Sequence, residues 1–511
     1  MAREDRDAAV ARDDPGLRGP DWPTLAALLA LSVLALGLRA IRIDFESIWY
    51  DEMHSLIQSS RSFGELWAGL LRDTHPPLYF WLLGAWRRLA GESVASARLF
   101  SALWAAAMVP ASYLLARSLR CERRVALVTA GLATFVPFTI YHGQQIRMYT
   151  LLTTLGALQL AWAGRILRQL EAEERLVSPR RLAELAGWCG LATLLVYVHN
   201  YGIFLCACAT VWSAIEAWVQ RRWRPLLVFA GLGLACLLAS SPQLLRALYT
   251  MEQVRNFDWL RTAGALEINT PWRVAEALLA GPLLDPGPPA LRWLLVLGAT
   301  AGAVWLWRTP AARSPNDARR EATWRRRTPL LLASCLVAAP LAVSLLRPIV
   351  LHGQRYMVYC VPLVLVVLGQ IGVALRPALR WVALALIASV WLPYLWSFYG
   401  ERQQIDLEAA TRELQRLVRP ESDAVLVWPG MNHRVVKFLS QERVAARPLW
   451  KPRIEEILAD REISRVWLLT QSAGANKEER TLHETFRAAR SRRWETDRRD
   501  TQLRLTLYER R

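Results

Sequence analysis

Eleven apolar segments, each near the ~20 residues a helix needs to cross the hydrocarbon of a bilayer, divide the chain between residues 24 and 398. They lie at about 24–42, 96–117, 125–141, 149–167, 182–198, 202–219, 225–244, 289–307, 329–347, 356–375 and 380–398. Hydrocarbon offers no water to a backbone, so each segment must satisfy its own N–H and C=O groups as a helix. The expected fold class is therefore a polytopic α-helical membrane protein with about eleven transmembrane helices. Composition agrees: 53% of the residues are hydrophobic and 24 are Trp, and the mean hydropathy is +0.16.

The formal charge of +19 invites a nucleic-acid partner, but the basic residues lie mostly in short Arg clusters between apolar runs. That distribution is the mark of cytoplasmic loops, so the charge reports topology and no nucleic acid is expected. A twelfth candidate, "PPLYFWLLGAWRRLAG" at 76–91, opens with two prolines and ends in Arg87 and Arg88. If it lies flat on the outer surface, the basic loops at 117–124, 165–181, 221–224, 308–327 and 376–380 share one face; if it spans, all of them move outside. The positive-inside tendency selects the membrane-parallel helix. Residues 43–95, the turns at 142–148 and 199–201, a loop at about 245–288, the turn 347–357 and everything from 400 onward then fall on the extracytoplasmic side of the cell (inner or plasma) membrane. Six of the seven cysteines sit inside apolar runs and Cys121 lies in an Arg-rich loop, so no disulfide framework is suggested. Residues 1–20 have mixed charge and are expected to be disordered and cytoplasmic. No small-residue cleavage site follows the first apolar run, which is expected to stay as an anchor.

The tail, 400–511, alternates helix and strand patterns: "LEAATRELQRLV", "HRVVKFLSQ" and "ERTLHETFRAARS" as helices, "AVLVW", "RVWLLTQ" and "LRLTLYE" as strands. A small extracytoplasmic α/β domain follows a transmembrane domain over 21–399, whose first external loop is 43–95.

Polar and ionisable residues concentrate at the predicted outer ends of the spans: Asp51, Glu52, His54, Asp73, His75, Arg98, Gln144, Gln145, Arg147, Tyr149, His199, Asn200, Tyr201, His352, Gln354, Arg355 and Tyr356. Five of the seven histidines, His142 among them with His54, His75, His199 and His352, fall at these boundaries. Each residue has a plain reading. Asp51 and Glu52 fit solvated loop acids, Arg98, Arg147 and Arg355 fit interfacial anchors, His75 fits a loop terminated by Pro76 and Pro77, and His199–Asn200 fits a polar turn. Jointly they suit one chemistry: cations hold a lipid-borne phosphate while a carboxylate, made more basic by Trp49, Tyr50 and Met53 around it, deprotonates an attacking hydroxyl. A pump would place its charges nearer the midplane.

The order of "WYDEMHS", "DTHPPLYFWLLGAW", "ARLFSALWAA", "YHGQQIRMYTLLTTLGAL" and "YVHNYGIFL" resembles the bacterial branch of the GT-C glycosyltransferases over roughly residues 20–375. It is similar to the dolichyl-phosphate-mannose protein mannosyltransferases and the lipid A aminoarabinose transferase. The resemblance implies a GT-C fold, external membrane-parallel helices included, and an inverting hexosyl- or pentosyltransferase. Such an enzyme takes its sugar from a polyprenyl-phosphate donor and passes it to a lipid, polysaccharide or protein acceptor outside the membrane. It implies a catalytic role for Asp51, with Glu52 in the neighbouring acidic position, and matches His75, Arg98 and Arg355 to binding positions. "QQIRMY" stands where related branches often carry an acid, so Gln145 and Arg147 are read as ligands of sugar or phosphate.

The expected mechanism makes Asp51 the base, with Arg98, Arg147 and Arg355 on the departing phosphate. Glu52, His54, His75 and His199 orient sugar and acceptor or hold a divalent cation, although no tight metal motif such as HExxH occurs. Tyr149 and Tyr356 complete the binding set. The alternative is a transporter or flippase of polyprenyl-linked sugars, which needs the same arginines; a non-catalytic scaffold built around the tail is a third reading.

Overall fold

A computed structural model describes residues 20–69, 73, 75–172, 178–254, 267–282, 288–309, 316–346, 354–402, 404–449, 451–471, 476–483, 485–494 and 502–511. The N-terminal stretch expected to be disordered lies outside these residues up to position 19, as do His352 and most of the turn 347–357. The chain divides into two compact units, Met1–Ile41, Arg61–Gly91 and Arg98–Leu395 forming one and Arg42–Ser60, Glu92–Ala97 and Trp396–Arg511 the other.

In chain order the helices begin with α1 (Trp22–Ala40), α2 (Tyr50–Ser59), α3 (Phe63–Gly69), α4 (Leu78–Ala90), α5 (Val94–Ser118), α6 (Arg123–Phe135), α7 (Pro137–Gly143) and α8 (Tyr149–Ala172). They continue with α9 (Pro179–Val198), α10 (Gly202–Gln220), α11 (Arg224–Val254), α12 (Thr270–Ala280), α13 (Pro289–Arg308), α14 (Asn316–Leu346), α15 (Val361–Ala374) and α16 (Pro377–Gly400), a 3-10 turn at Gln354–Cys360 leading into α15. Among the described residues nine helical segments are long and apolar enough to cross a membrane, and the bent pair α6–α7 makes a tenth if it counts as one span. The chain is thus a multi-pass membrane protein. The remaining predicted span is α8, 24 residues long but more polar through Thr150, Thr153, Thr154 and Gln159.

The straight span expected over 125–141 is broken instead, with a 50° bend between α6 and α7. Pro137 has no N–H to give to the carbonyl of Ala133, which opens the ladder. Buried Arg39 of α1 fills the gap, donating to the carbonyls of Ala133 (3.3 Å) and Thr134 (3.0 Å) and to the Thr139 hydroxyl (2.7 Å). A guanidinium is tolerated there because it replaces the missing backbone donors. Small residues let helices approach elsewhere. A Cβ on Gly164 of α8 would lie 2.4 Å from the Trp212 ring of α10 and 2.9 Å from Ser118 Cβ of α5.

The segment 76–91, expected to lie flat, forms α4, whose 13 residues are too few to span. The stretch expected as a loop at 245–288 holds more helix than that: α11 runs on to Val254 and "TPWRVAEALLA" forms α12. Pro271 sits in the first turn of α12, where its fixed φ suits a helix start, and Glu276 pairs with Arg292 of α13 at 3.1 Å.

The second unit carries α2, α17 (Leu407–Leu417), α18 (Asn432–Leu439), α19 (Lys451–Ala459) and α20 (Asn476–Leu482) with strands β1 (Asp423–Trp428), β2 (Ala446–Pro448), β3 (Arg465–Gln471), β4 (Phe486–Trp494) and β5 (Leu503–Arg510). The sheet order is β2-β1-β3-β5-β4, parallel among the first three strands and antiparallel around β5. Leu426, Ile454, Val466, Leu468, Phe486 and Tyr508 fill its core. One expectation is corrected: "ERTLHETFRAARS" is not one helix, since α20 ends at Leu482 and the residues from Phe486 onward pair as β4. As an edge strand β4 buries Phe486 and leaves Arg487, Arg490, Arg492 and Arg493 in solvent, so it shows no period-two pattern.

Candidate functional site

The first unit gathers a buried polar cluster where several helices end. The turn 144–148 between α7 and α8 carries Arg147, only 1% exposed. Its backbone is pinned by α5, since the Ser101 hydroxyl donates to the Arg147 carbonyl (3.3 Å) and Thr150 Oγ1 donates to the Ser101 carbonyl (2.9 Å). Arg98, also buried, lies one turn before Ser101.

Arg147 Nη2 stands 2.8 Å from His75 Nε2, and His75 Nδ1 stands 3.1 Å from Asp73 Oδ1. A guanidinium only donates, so Nε2 is the acceptor and the ring proton sits on Nδ1, donated to the Asp73 carboxylate. The same carboxylate oxygen accepts the His75 backbone N–H at 2.9 Å, while Pro76 and Pro77 stiffen the far side. The result is a relay Asp73–His75–Arg147 with a fixed tautomer. Both ring nitrogens of His75 are occupied, so its use as a cation ligand would require Arg147 to leave Nε2.

A second strand of the cluster is aromatic. Tyr149, at the start of α8, has its ring 6.3 Å from His199 and 6.0 Å from Tyr356, and His199 lies 5.1 Å from both Tyr201 and Tyr356. Arg147 sits 5.7 Å from the Tyr149 centroid and Arg355 sits 5.5 Å from that of Tyr356. His199 closes α9, and its Nδ1 accepts the Tyr201 N–H at 3.1 Å, which leaves the proton on Nε2. Gly202 makes this turn feasible, because a Cβ there would meet the Leu195 carbonyl carbon at 2.4 Å. Burial, reinforced by the Arg147 and Arg355 guanidiniums, pushes the His199 imidazole down to about 3, so it stays neutral. Gln145 Oε1 accepts from Nδ1 of buried His142 at 3.2 Å.

Sequence reasoning did not assign a site role to Asp73, Asn200 or Tyr201, and missed Gln243 and Arg246 altogether. The last two bear a signal in retrospect: an amide and a cation three residues apart at the end of an apolar run share one helix face. Gln243 Nε2 donates to Asn200 Oδ1 (2.9 Å), Arg246 Nε donates to Gln243 Oε1 (3.1 Å), and Arg246 also donates to the Asp73 carbonyl.

Asp51, Glu52 and His54 belong to the second unit, on α2. Glu52 is buried there, Asp51 and His54 are half-buried, and Gln58 meets His54 at 3.5 Å. The segment leading into α2 is tied to the tail: Glu46 accepts the Gln404 N–H (3.0 Å), Ser47 Oγ accepts the Glu408 N–H (3.1 Å), and Arg434 of α18 donates to the Tyr50 hydroxyl (3.1 Å).

A family described as dolichyl-phosphate-mannose-protein mannosyltransferase matches residues 74–245, a range that includes His75, Arg98, Arg147, Tyr149 and His199. No curated protein matches the sequence. Among solved structures, apo ArnT from Cupriavidus metallidurans is similar with a TM-score of 0.57 at 12% identity, covering 95% of this chain and 98% of that one. ArnT bound to undecaprenyl phosphate gives 0.53 at 13% identity, with the same coverage. The oligosaccharyltransferase AglB from Archaeoglobus fulgidus, in complex with an inhibitory peptide and a dolichol-phosphate, gives 0.54 at 10% identity, covering 88% of this chain and 69% of that one. The fold expected from the motifs is thereby shown: the chain has the GT-C architecture of these proteins.

Proposed function

We propose that the protein is a glycosyltransferase that moves a hexose or pentose from a polyprenyl-phosphate carrier to an acceptor hydroxyl on the extracytoplasmic face of the cell membrane, with inversion at the anomeric carbon. The observation that carries this reading is the Asp73–His75–Arg147 relay: a buried guanidinium held in one orientation by a neutral imidazole is suited to an anion, and ArnT and AglB have been captured with polyprenyl phosphates. Arg98 and Arg355 supply further positive charge for the phosphate, and Gln145, Tyr149, His199 and Tyr356 supply polar and stacking contacts for the sugar.

In the reaction the acceptor hydroxyl gives its proton to the Asp51 carboxylate as its oxygen forms a bond to the anomeric carbon. The bond from that carbon to the phosphate oxygen breaks, and its electron pair leaves with the polyprenyl phosphate, whose charge the arginines stabilise. Glu52 and His54 orient the acceptor, which is a lipid, polysaccharide or protein.

The test is a reconstituted assay with radiolabelled polyprenyl-phosphate sugars and a cell-envelope extract. Asp51→Asn is expected to lower transfer by about 10²–10⁴-fold, the usual contribution of a general base, while carrier binding persists. Undiminished turnover in that variant removes Asp51 from the role. Label that changes leaflet on an intact carrier, with no new glycosidic bond, replaces the transferase with a transporter.

A further inference from the structure

We infer that Arg246, with Gln243 and Asn200, is a positioning group for the carrier-phosphate site and acts on Arg147 through Asp73 and His75. This rests on the transferase reading above. Arg246 and Gln243 lie three residues apart on α11, 7% and 2% exposed, beyond the end of the matched family range or close to it. From that one helix face, hydrogen bonds reach both histidine-bearing segments. Gln243 holds the turn that follows His199 through Asn200, and Arg246 holds the Asp73 carbonyl two residues before His75.

The consequence runs along the bonds. With its main chain held, Asp73 presents one carboxylate oxygen to both the backbone N–H and the ring Nδ1–H of His75. That fixes the tautomer in which Nε2 is a lone-pair acceptor, and the acceptor sets the plane of the Arg147 guanidinium. If Asp73 turns away, the ring can rotate or move its proton to Nε2, and an N–H then points at Arg147. A guanidinium suits the task at 246 because it serves two acceptors at once, Gln243 Oε1 through Nε and the Asp73 carbonyl through Nη1; an ammonium has no such fork. A plain strut between helices would also explain the burial of Arg246, but it would not couple to His75.

The experiment measures binding of undecaprenyl phosphate to the full-length protein in nanodiscs, with melting temperature recorded separately for every variant. Arg246→Met is expected to weaken binding about tenfold and Arg246→Lys, which keeps the bond to Asp73, about threefold, as contacting residues in one network couple by such factors. In a His75→Ala background Arg246→Met is expected to have no further effect on binding. Equal weakening with and without the His75 ring, or unchanged binding, overturns the inference. Should Arg246→Met fail to fold, Gln243→Ala carries the same cycle, with about threefold weakening expected only when His75 is present; unchanged binding there also overturns it. Arg147→Ala separates the two levels: if it binds as wild type does, the carrier-phosphate reading fails and takes the inference with it, whereas loss with Arg147→Ala and no effect at 246 refutes the inference alone.

Discussion

His199 illustrates what a buried turn does to an ionisable side chain. Its folded value of about 3 lies below the ordinary 6.5, through burial first and then the Arg147 and Arg355 guanidiniums. Between those pH values the unfolded chain binds one more proton than the folded one. The associated stability is complete above pH 6.5 and is lost on acidification toward pH 3, at up to about 1.4 kcal/mol per pH unit. His199→Gln is expected to flatten the fall in melting temperature between pH 6.5 and 4.5; a slope equal to wild type refutes the assignment. His75, Arg147, Tyr149 and His199 stood out in the sequence, because charges and histidines at the ends of apolar runs are costly and rarely accidental, whereas Gln243 and Arg246 did not. The pairings were not legible there: that His75 meets Arg147, 72 positions away, depends on helix packing.

At the scale of elements, the broken span over 125–141 shows how a proline is accommodated by a neighbour. Arg39→Met leaves the Ala133 and Thr134 carbonyls without their donor, which is expected to cost about 2–4 kcal/mol and to appear as a lower melting temperature in detergent. Arg39→Lys should recover part of the loss, and a melting temperature unchanged by Arg39→Met would show that water serves the carbonyls instead. Pro137 was visible in the sequence, but no local pattern marks Arg39, some 95 positions earlier, as the group that mends the break. Strands told the same story in the tail. β1, β3 and β5 announce themselves by buried apolar runs, whereas β4, exposed on the edge and rich in Arg, looks like a helix surface until its partner β5 is in place.

For the molecule as a whole, the acid-bearing segment 42–60 is built into the same compact unit as the tail. Glu46→Ala with Ser47→Ala removes the acceptors for the Gln404 and Glu408 N–H groups, and α2 packs on α18 beyond them. The double variant is expected to cleave about thirtyfold faster within residues 42–60 under limited proteolysis, since about 1 kcal/mol of hydrogen bonding at each of the two contacts opposes local opening; an unchanged rate would mean that the α2–α18 packing alone holds the segment. The sequence by itself determined the membrane class, the positions of the spans, the α/β tail and the residue types available for chemistry. Each follows from local periodicity and from the cost of placing a charge or a bare backbone in hydrocarbon. Tertiary structure decided the rest: which histidine faces which arginine, which helix orients them, where a proline break is mended and which edge of the sheet β4 occupies. Those outcomes depend on contacts between residues distant in the chain, and no local pattern encodes them.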